Sequence, residues 1–277
     1  MKKRWKIMVG LILISALIVC PAFAADEAGS SGEEMLKGAS ASEGGQETAS
    51  GEQTKLEKAN VLLATKELDK LEQAISIYKE ILKNDPQNFE ATWRCAKAYR
   101  EYGYKAKQKR VSGWEDICAE YGKTGMEYAQ KAIELNPDEP QGYFFYGLNV
   151  GVYSDGVGII TALREGLKNK TQENLEKAYE IDKTFDNGGP MLAMGRFWQK
   201  VPWPYNDEDK AMEYYRELQE TEYFGKHVEG YIYLSELLMD KWGKKPKQEA
   251  RSLLNEAIES TENPYWQERA RELLAEL

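Results

Sequence analysis

Histidine is nearly absent from this 277-residue chain. His227 is the one copy, and no second ligand stands near it at zinc-site spacing, so it is expected as a helix-start or surface residue. Cysteine is almost as scarce: Cys20 falls in an N-terminal apolar run, and Cys95 and Cys118 make no Cys-x-x-Cys pair. No Gly-x-Ser-x-Gly, His-Glu-x-x-His or Walker pattern occurs, and Gly156-Val157-Gly158 is too short to cradle a phosphate. With no acid, base and nucleophile in a workable constellation, the sequence offers no catalytic residues, no metal site and no cofactor site, and a non-enzymatic role is expected. Strand signals are also missing, since Asn187-Gly188 sits between helical patterns and not between alternating ones. The formal charge of −9 argues against nucleic acid as a partner.

What is present begins with a leader. Lys2, Lys3, Arg4 and Lys6 precede an apolar run from Ile7 to Cys20 and the small-residue pattern Ala22-Phe23-Ala24. This reads as a secretory signal peptide over residues 1–24, cleaved after Ala24, and implies a periplasmic location. Val19 is bulky where a lipoprotein signal needs a small residue, so lipid anchoring at Cys20 is not expected. No later apolar run approaches bilayer-spanning length. Residues 25–54 are rich in Gly, Ser, Ala and Glu and read as a disordered acidic leader. Export would put Cys95 and Cys118 in an oxidising compartment. They fall on adjacent antiparallel helices, at similar distances from the turn, which makes them a candidate disulfide.

Residues 55–277 repeat one plan. "LEQAISIYKEILKNDPQNFEATWRCAKAY", "GMEYAQKAIELNPDEPQGYFFYGLNV" and "TQENLEKAYEIDKTFDNGGPMLAMGRFW" each run an amphipathic helix to a polar stop, then a second helix rich in aromatic and small residues. Two weaker copies follow. Ala74, Tyr78, Ile81 and Pro86 have tetratricopeptide spacing: the small residue lets helices approach, the ring fills a groove and the proline stops the helix. The expected fold is all-α, a tetratricopeptide-like solenoid of about five hairpins with a C-terminal capping helix from Pro264. Two inserted stretches, "KAKQKRVSGWEDICAEYGKT" and "GVYSDGVGIITALREGLKNK", lengthen the array, and long helices can enclose a cavity.

Aromatics are in surplus. Tyr143, Phe144, Phe145 and Tyr146 are consecutive, and successive helical side chains point about 100° apart, so they cannot all face one groove. Either they pack beneath the insertions or some face a lumen. In "DNGGPMLAMGRFWQKVPWP", residues 186–204, Asp186 or Asn187 serves the turn and the glycines permit positive φ. Pro190 suits a first helical turn, Gly195 a tight crossing, and Pro202 pushes Val201 out of helical geometry. Pro202 and Pro204 hold Trp203 on a stiff connection, read as a structural clamp that also walls a cavity.

The stretches "YAQKAIELNPDEPQGYFFYGLNVG", "ENLEKAYEIDKTFDNGGPMLAMGRFWQKVPWPYNDEDKAMEYY" and "YLSELLMDKWGKKPKQEARSLLNEAI" resemble the T-component family of TRAP transporters. The resemblance covers most of the chain from about residue 55, most specifically at the Gly-Gly-Pro start and the Pro-x-Pro end. It implies stacked helical hairpins and a non-enzymatic accessory that docks the periplasmic solute-binding protein. It also implies a homo-oligomer and apolar openings suited to a hydrophobic small molecule. The poor lipoprotein signal departs from that family. On this reading the candidate lumen residues are Tyr146, Asn149, Met194, Phe197, Trp198 and Trp203, with Asn149 needing a partner for its amide. The alternative is a generic periplasmic tetratricopeptide scaffold for envelope protein assembly, which needs no lumen.

Overall fold

The computed structural model describes residues 43–277, with side chains from residue 51. The signal peptide and the first part of the leader lie outside these residues. Helix α1 (Glu43–Thr65) already occupies residues 43–54, which composition assigned to the leader. Its Ala, Glu, Gln and Lys residues favour a helix locally, and Leu56, Ala59 and Leu63 bury its C-terminal half.

Helix α2 (Leu68–Asn84) buries Leu71, Ala74, Ile75, Tyr78, Ile81 and Leu82, spaced as one helical face, and ends ahead of Pro86. Asn88 then caps α3 (Phe89–Gln108), its side chain accepting from the Ala91 amide at 2.9 Å. The first insertion lengthens α3 and α4 (Trp114–Leu135) to 20 and 22 residues. Pro140 starts α5 (Pro140–Val157), and the second insertion forms the short α6 (Ile159–Arg164) and the start of α7 (Leu167–Asp182). Then come α8 (Phe185–Lys200), α9 (Glu208–Gln219), a 3-10 turn at Phe224–Lys226, α10 (Val228–Asp240), α11 (Lys244–Ser260) and α12 (Pro264–Glu276). Among the described residues there are twelve α-helices and no strand, and no helix is long and apolar enough to cross a membrane.

The helices pack as five hairpins, α1/α2, α3/α4, α5/α7, α8/α9 and α10/α11, with α12 as the cap. The repeat pattern predicts this all-α solenoid and its number of hairpins, but the repeated units pair α2 with α3, α4 with α5 and α7 with α8, one helix out of step with the hairpins of the structure. Asp207 caps α9 through the Lys210 amide at 3.0 Å, so the acidic run 207–209 serves a helix start. At the start of α8, Asp186, Asn187 and Gly188 are all left-handed, with φ of 49°, 58° and 80°. Val201 leaves the helix at ψ 136°, ahead of Pro202.

Close helix contacts depend on missing side chains. A Cβ on Gly122 or Gly156 would run into backbone of the facing helix, so α4 and α5 touch main chain to main chain. Cys118 also sits in this region, and its thiol donates to the Gly103 carbonyl at 3.3 Å. Cys95 lies eight residues before Gly103 on α3, a rise of about 12 Å, well beyond the reach of a bridge. Cys95 and Cys118 are therefore free buried thiols, which corrects the candidate disulfide. Burial pushes both up to about 12.

Gly195 on α8 faces the ring of Tyr215, which is fully buried and donates its hydroxyl to Gln199 at 2.9 Å. Alanine gains roughly 1 kcal/mol over glycine in a helix, whereas overpacking a fixed ring costs about 1–3 kcal/mol. The second effect wins because Tyr215 cannot withdraw without losing its hydrogen bond. Gly195→Ala should lower the urea unfolding free energy by up to about 2 kcal/mol, and a rise in stability would show that the crossing is not tight.

Candidate functional site

The first helices of the hairpins, α3, α5, α8 and α10, together with α12 and the α6–α7 segment, surround a cavity of about 910 Å³. Long α3 closes it. Lys97 pairs with Asp186 at the start of α8 (3.2 Å), the Tyr104 hydroxyl donates to Glu229 at the start of α10 (3.1 Å), and Asn263 before α12 donates to Gln108 (3.4 Å). A groove that a straight solenoid would leave open thus becomes a lumen.

Apolar side chains line it, with Phe144, Phe145, Leu148, Leu175, Leu192 and Phe197 prominent among them. Phe144, Phe145 and Phe185 meet edge to face, and Trp93 stacks on Phe145 at 5.8 Å. Charged side chains are interspersed with these apolar ones, Lys97 lying 5.4 Å from the centre of the Phe145 ring. Ten Lys and Arg residues line the cavity against five Asp and Glu, in a chain whose net charge is −9. Glu236 on α10 receives hydrogen bonds from Arg196 at 2.7 Å and Arg269 at 3.0 Å, with Lys200 at 3.7 Å. Arg196 also lies 3.7 Å from the centre of the Tyr233 ring. Arg100 contacts Glu101 at 2.6 Å and covers the Tyr104 ring.

These groups perturb one another. Burial alone would raise the Glu236 carboxyl, but the charges of Arg196 and Lys200 and the hydrogen bonds from Arg196 and Arg269 outweigh it and hold it below the usual carboxylate range. Glu101 behaves alike: burial opposes ionisation, and Arg100, Lys66 and Lys97 overcome it. Burial and the neighbouring Arg196 charge lower the Lys200 ammonium. The cations are arranged to hold the resident carboxylates ionised and leave surplus positive charge for an occupant.

The structure brings one of the six candidate lumen residues, Phe197, to the cavity wall. Tyr146, Met194 and Trp198 are buried in the main core instead. Trp203 points to solvent, 85 % exposed. Asn149 is fully buried, donating to the Ala96 and Phe145 carbonyls at 3.1 and 2.8 Å, which ties α5 to α3. Its Oδ1 has no hydrogen-bond partner and faces Gly125 on α4. Of the consecutive aromatics, Phe144 and Phe145 border the cavity while belonging, like Tyr146, to the buried core. His227 lines the cavity before α10, its Nε2 2.8 Å from the Asp186 carbonyl. Among the described residues no group of three or more His, Cys, Asp or Glu is placed to hold a metal. The ion-pair network escaped sequence reading, although Glu236 inside the apolar run "YIYLSELLM" was a signal for it.

An all-α superhelix of paired helices whose first helices line the concave side defines a tetratricopeptide-like protein. The chain belongs to the RMD1-3 family, regulator of microtubule dynamics protein 1-3, whose profile matches residues 55–197. Among solved structures it is similar to TTC0263, a thermophilic tetratricopeptide protein of Thermus thermophilus. The two share 16 % identity with a TM-score of 0.57, covering 81 % of this chain and 99 % of that one. It is also similar to MamA, at 18 % identity and TM-score 0.42 over 69 % of this chain and 89 % of that one. No curated protein matches the sequence.

Linkage fixes the expected pH response. The Glu236 carboxyl is lower in the folded state than in the unfolded one, so the stability it supplies is present at neutral pH and is lost as pH falls below about 4.5. Glu236→Gln should melt below the parent chain at neutral pH, with the gap closing as acid protonates the parent carboxyl. A gap that does not narrow in acid would remove Glu236 from the network that closes the lumen.

Proposed function

We propose that this chain is a non-enzymatic interaction scaffold whose lumen takes an elongated occupant with an apolar body and acidic groups. More specifically, it acts as an exported accessory of a TRAP-type uptake system, docking the periplasmic solute-binding protein. The observation that carries the first part is the lumen itself, lined by aromatic and aliphatic side chains mixed with surplus Lys and Arg in an acidic chain. The second part is supported by the export signal and by the resemblance of three long stretches to the T-component family. The RMD1-3 family's name speaks of microtubule dynamics, but export would separate this chain from a cytoplasmic polymer. A generic scaffold for envelope protein assembly is the second reading, favoured by a lumen polar enough to hold a peptide.

Native mass spectrometry of residues 25–277 isolated from their own envelope tests this. A bound acidic lipophilic mass, or a co-purifying solute-binding protein, is expected; an empty chain that captures only unrelated envelope proteins would turn the assignment to the second reading. Phe197→Ala should weaken retention about tenfold with a small change in melting, because the ring borders the lumen. Trp198→Ala, in the core, should instead cost about 3–5 kcal/mol of stability. Equal losses from both would mean that the cavity is plain packing space.

A further inference from the structure

Every hairpin turns from its first helix to its second on the same edge of the superhelix, and that edge has a chemistry of its own. Among the described residues the exposed large apolar side chains are Val61, Ile159, Ile160, Trp203, Tyr205 and Trp242. Val61 precedes the α1–α2 turn by about one helical turn, Ile159 and Ile160 open α6, Trp203 and Tyr205 lie between α8 and α9, and Trp242 lies between α10 and α11. The opposite edge, where second helices lead to the next hairpin, has none of them. The turns on the apolar edge are joined to each other. Lys168 sits 5.2 Å from the centre of the Tyr205 ring, and Lys241, next to Trp242, reaches Asp209 at 3.4 Å and Glu208 at 3.6 Å at the start of α9.

Positive charge is concentrated at one tip of the apolar edge. Trp242, wholly exposed, sits in the run Lys241-Trp242-Gly243-Lys244-Lys245-Pro246-Lys247, and Lys109 and Arg110 project from the α3–α4 turn. The opposite edge gathers acids: Glu134, Asp138 and Glu139 around the α4–α5 turn, Glu220 and Glu222 between α9 and α10, and Glu262 before α12. In a chain of net charge −9, the basic run around Trp242 is not a reflection of composition, whereas the α8–α9 turn that bears Trp203 ends in the acidic run Asp207, Glu208 and Asp209. Indole rings at separate loop tips, flanked by ammonium groups, suit the level of lipid headgroups, where the ring meets the apolar boundary and the lysines meet phosphate. Such tips do not form the continuous buried centre that a protein interface needs.

We infer that this edge docks the protein on an anionic lipid bilayer, with Trp242 and Trp203 entering the headgroup layer and Lys244, Lys245 and Lys247 contacting lipid phosphates. The acids around the α4–α5 and α9–α10 turns then face away from the negative surface, which favours this orientation. The lumen continues to the docking edge, since Ile159, Leu163, Lys168 and Pro202 line it there. Docking is independent of what occupies the lumen, so its failure would leave the scaffold reading standing.

Residues 43–277 contain the whole core and are the unit to use, because the apolar run at 7–20 would itself partition into lipid. Co-sedimentation with phosphatidylcholine vesicles, with and without phosphatidylglycerol, should show binding only to the anionic vesicles, and salt should weaken it. Trp203→Ala with Trp242→Ala, and separately Lys244→Glu with Lys245→Glu, should each weaken binding about tenfold or more. Melting should be unchanged, because these side chains are exposed. The proposal is overturned if the anionic vesicles bring down no protein, if neutral vesicles bind equally, or if neither pair of substitutions matters. Sedimentation equilibrium gives the remaining outcome: a self-association that the tryptophan substitutions abolish, without vesicle binding, would assign the edge to a second copy of the chain.

Discussion

Helices α4 and α5 meet backbone to backbone, and the direction of α3 depends on that contact. Gly122 and Gly156 leave no side chain between the two helices, and α3 lies against both of them. Asn149 completes the junction by reaching from α5 to the Ala96 carbonyl on α3. A side chain at either glycine would push α4 away from α5 and swing α3 with it. The far end of α3 carries Tyr104 and Gln108 to Glu229 and Asn263, so a shift at the glycines would open the lumen on its other side. The unpartnered Oδ1 of Asn149 is a cost of this junction, of the order of 1–3 kcal/mol for a buried polar atom. The two hydrogen bonds made by its Nδ2 offset part of that cost, and the specificity of the helix placement accompanies it.

The same closure explains how so many charges survive in a half-enclosed space. An isolated buried carboxylate would be neutralised, yet Glu236 has two arginines within hydrogen-bond distance, and Arg196 gains a ring face as well. Partial exposure keeps the desolvation cost below that of a dry interior, so the network holds the lumen in shape without having to dominate stability. The cations without a resident carboxylate distinguish this lumen from a purely hydrophobic tunnel.

The fold was legible in the sequence because its punctuation is strong. Pro86 follows the end of α2, Pro140 starts α5 and Pro264 starts α12, and the 3.6-residue stripes of α2, α3, α4, α9 and α11 are clear, whereas α5 is apolar on most of its faces. Gly195 at its close crossing, and the positive φ of Gly188, were readable for the same local reason, whereas the left-handed Asp186 and Asn187 were read only as turn residues. The lumen was legible in only one residue of six, because which face of a first helix meets a partner depends on the superhelix. Phe197 and Trp198 are neighbours about 100° apart on α8, and the sequence says that they diverge without saying which one faces inward. Trp203 between two prolines does sit on a stiff connection, but the connection points outward. Single charges such as Arg196 look like solvent-facing positions until α12 folds over them. The start of α1 was missed because residues 43–54, with three glycines, two threonines and a serine, carry neither an apolar stripe nor a strong helix propensity.

The family match ends at Phe197, on the lumen wall. Before that point lie α3, α5 and the α6–α7 segment, which supply part of the aromatic lining and half of the enclosing surface. Beyond it lie Glu236 and Arg269, which organise the charge, Glu229 and Asn263, which meet α3, and the exposed Trp203 and Trp242. A chain stopping near residue 197 would keep its hairpins but leave α3 without its partners on α10 and before α12, and the concave face would be an open groove. Enclosure of the lumen, its Glu236-centred charge network and the tryptophan edge therefore depend on the C-terminal hairpins.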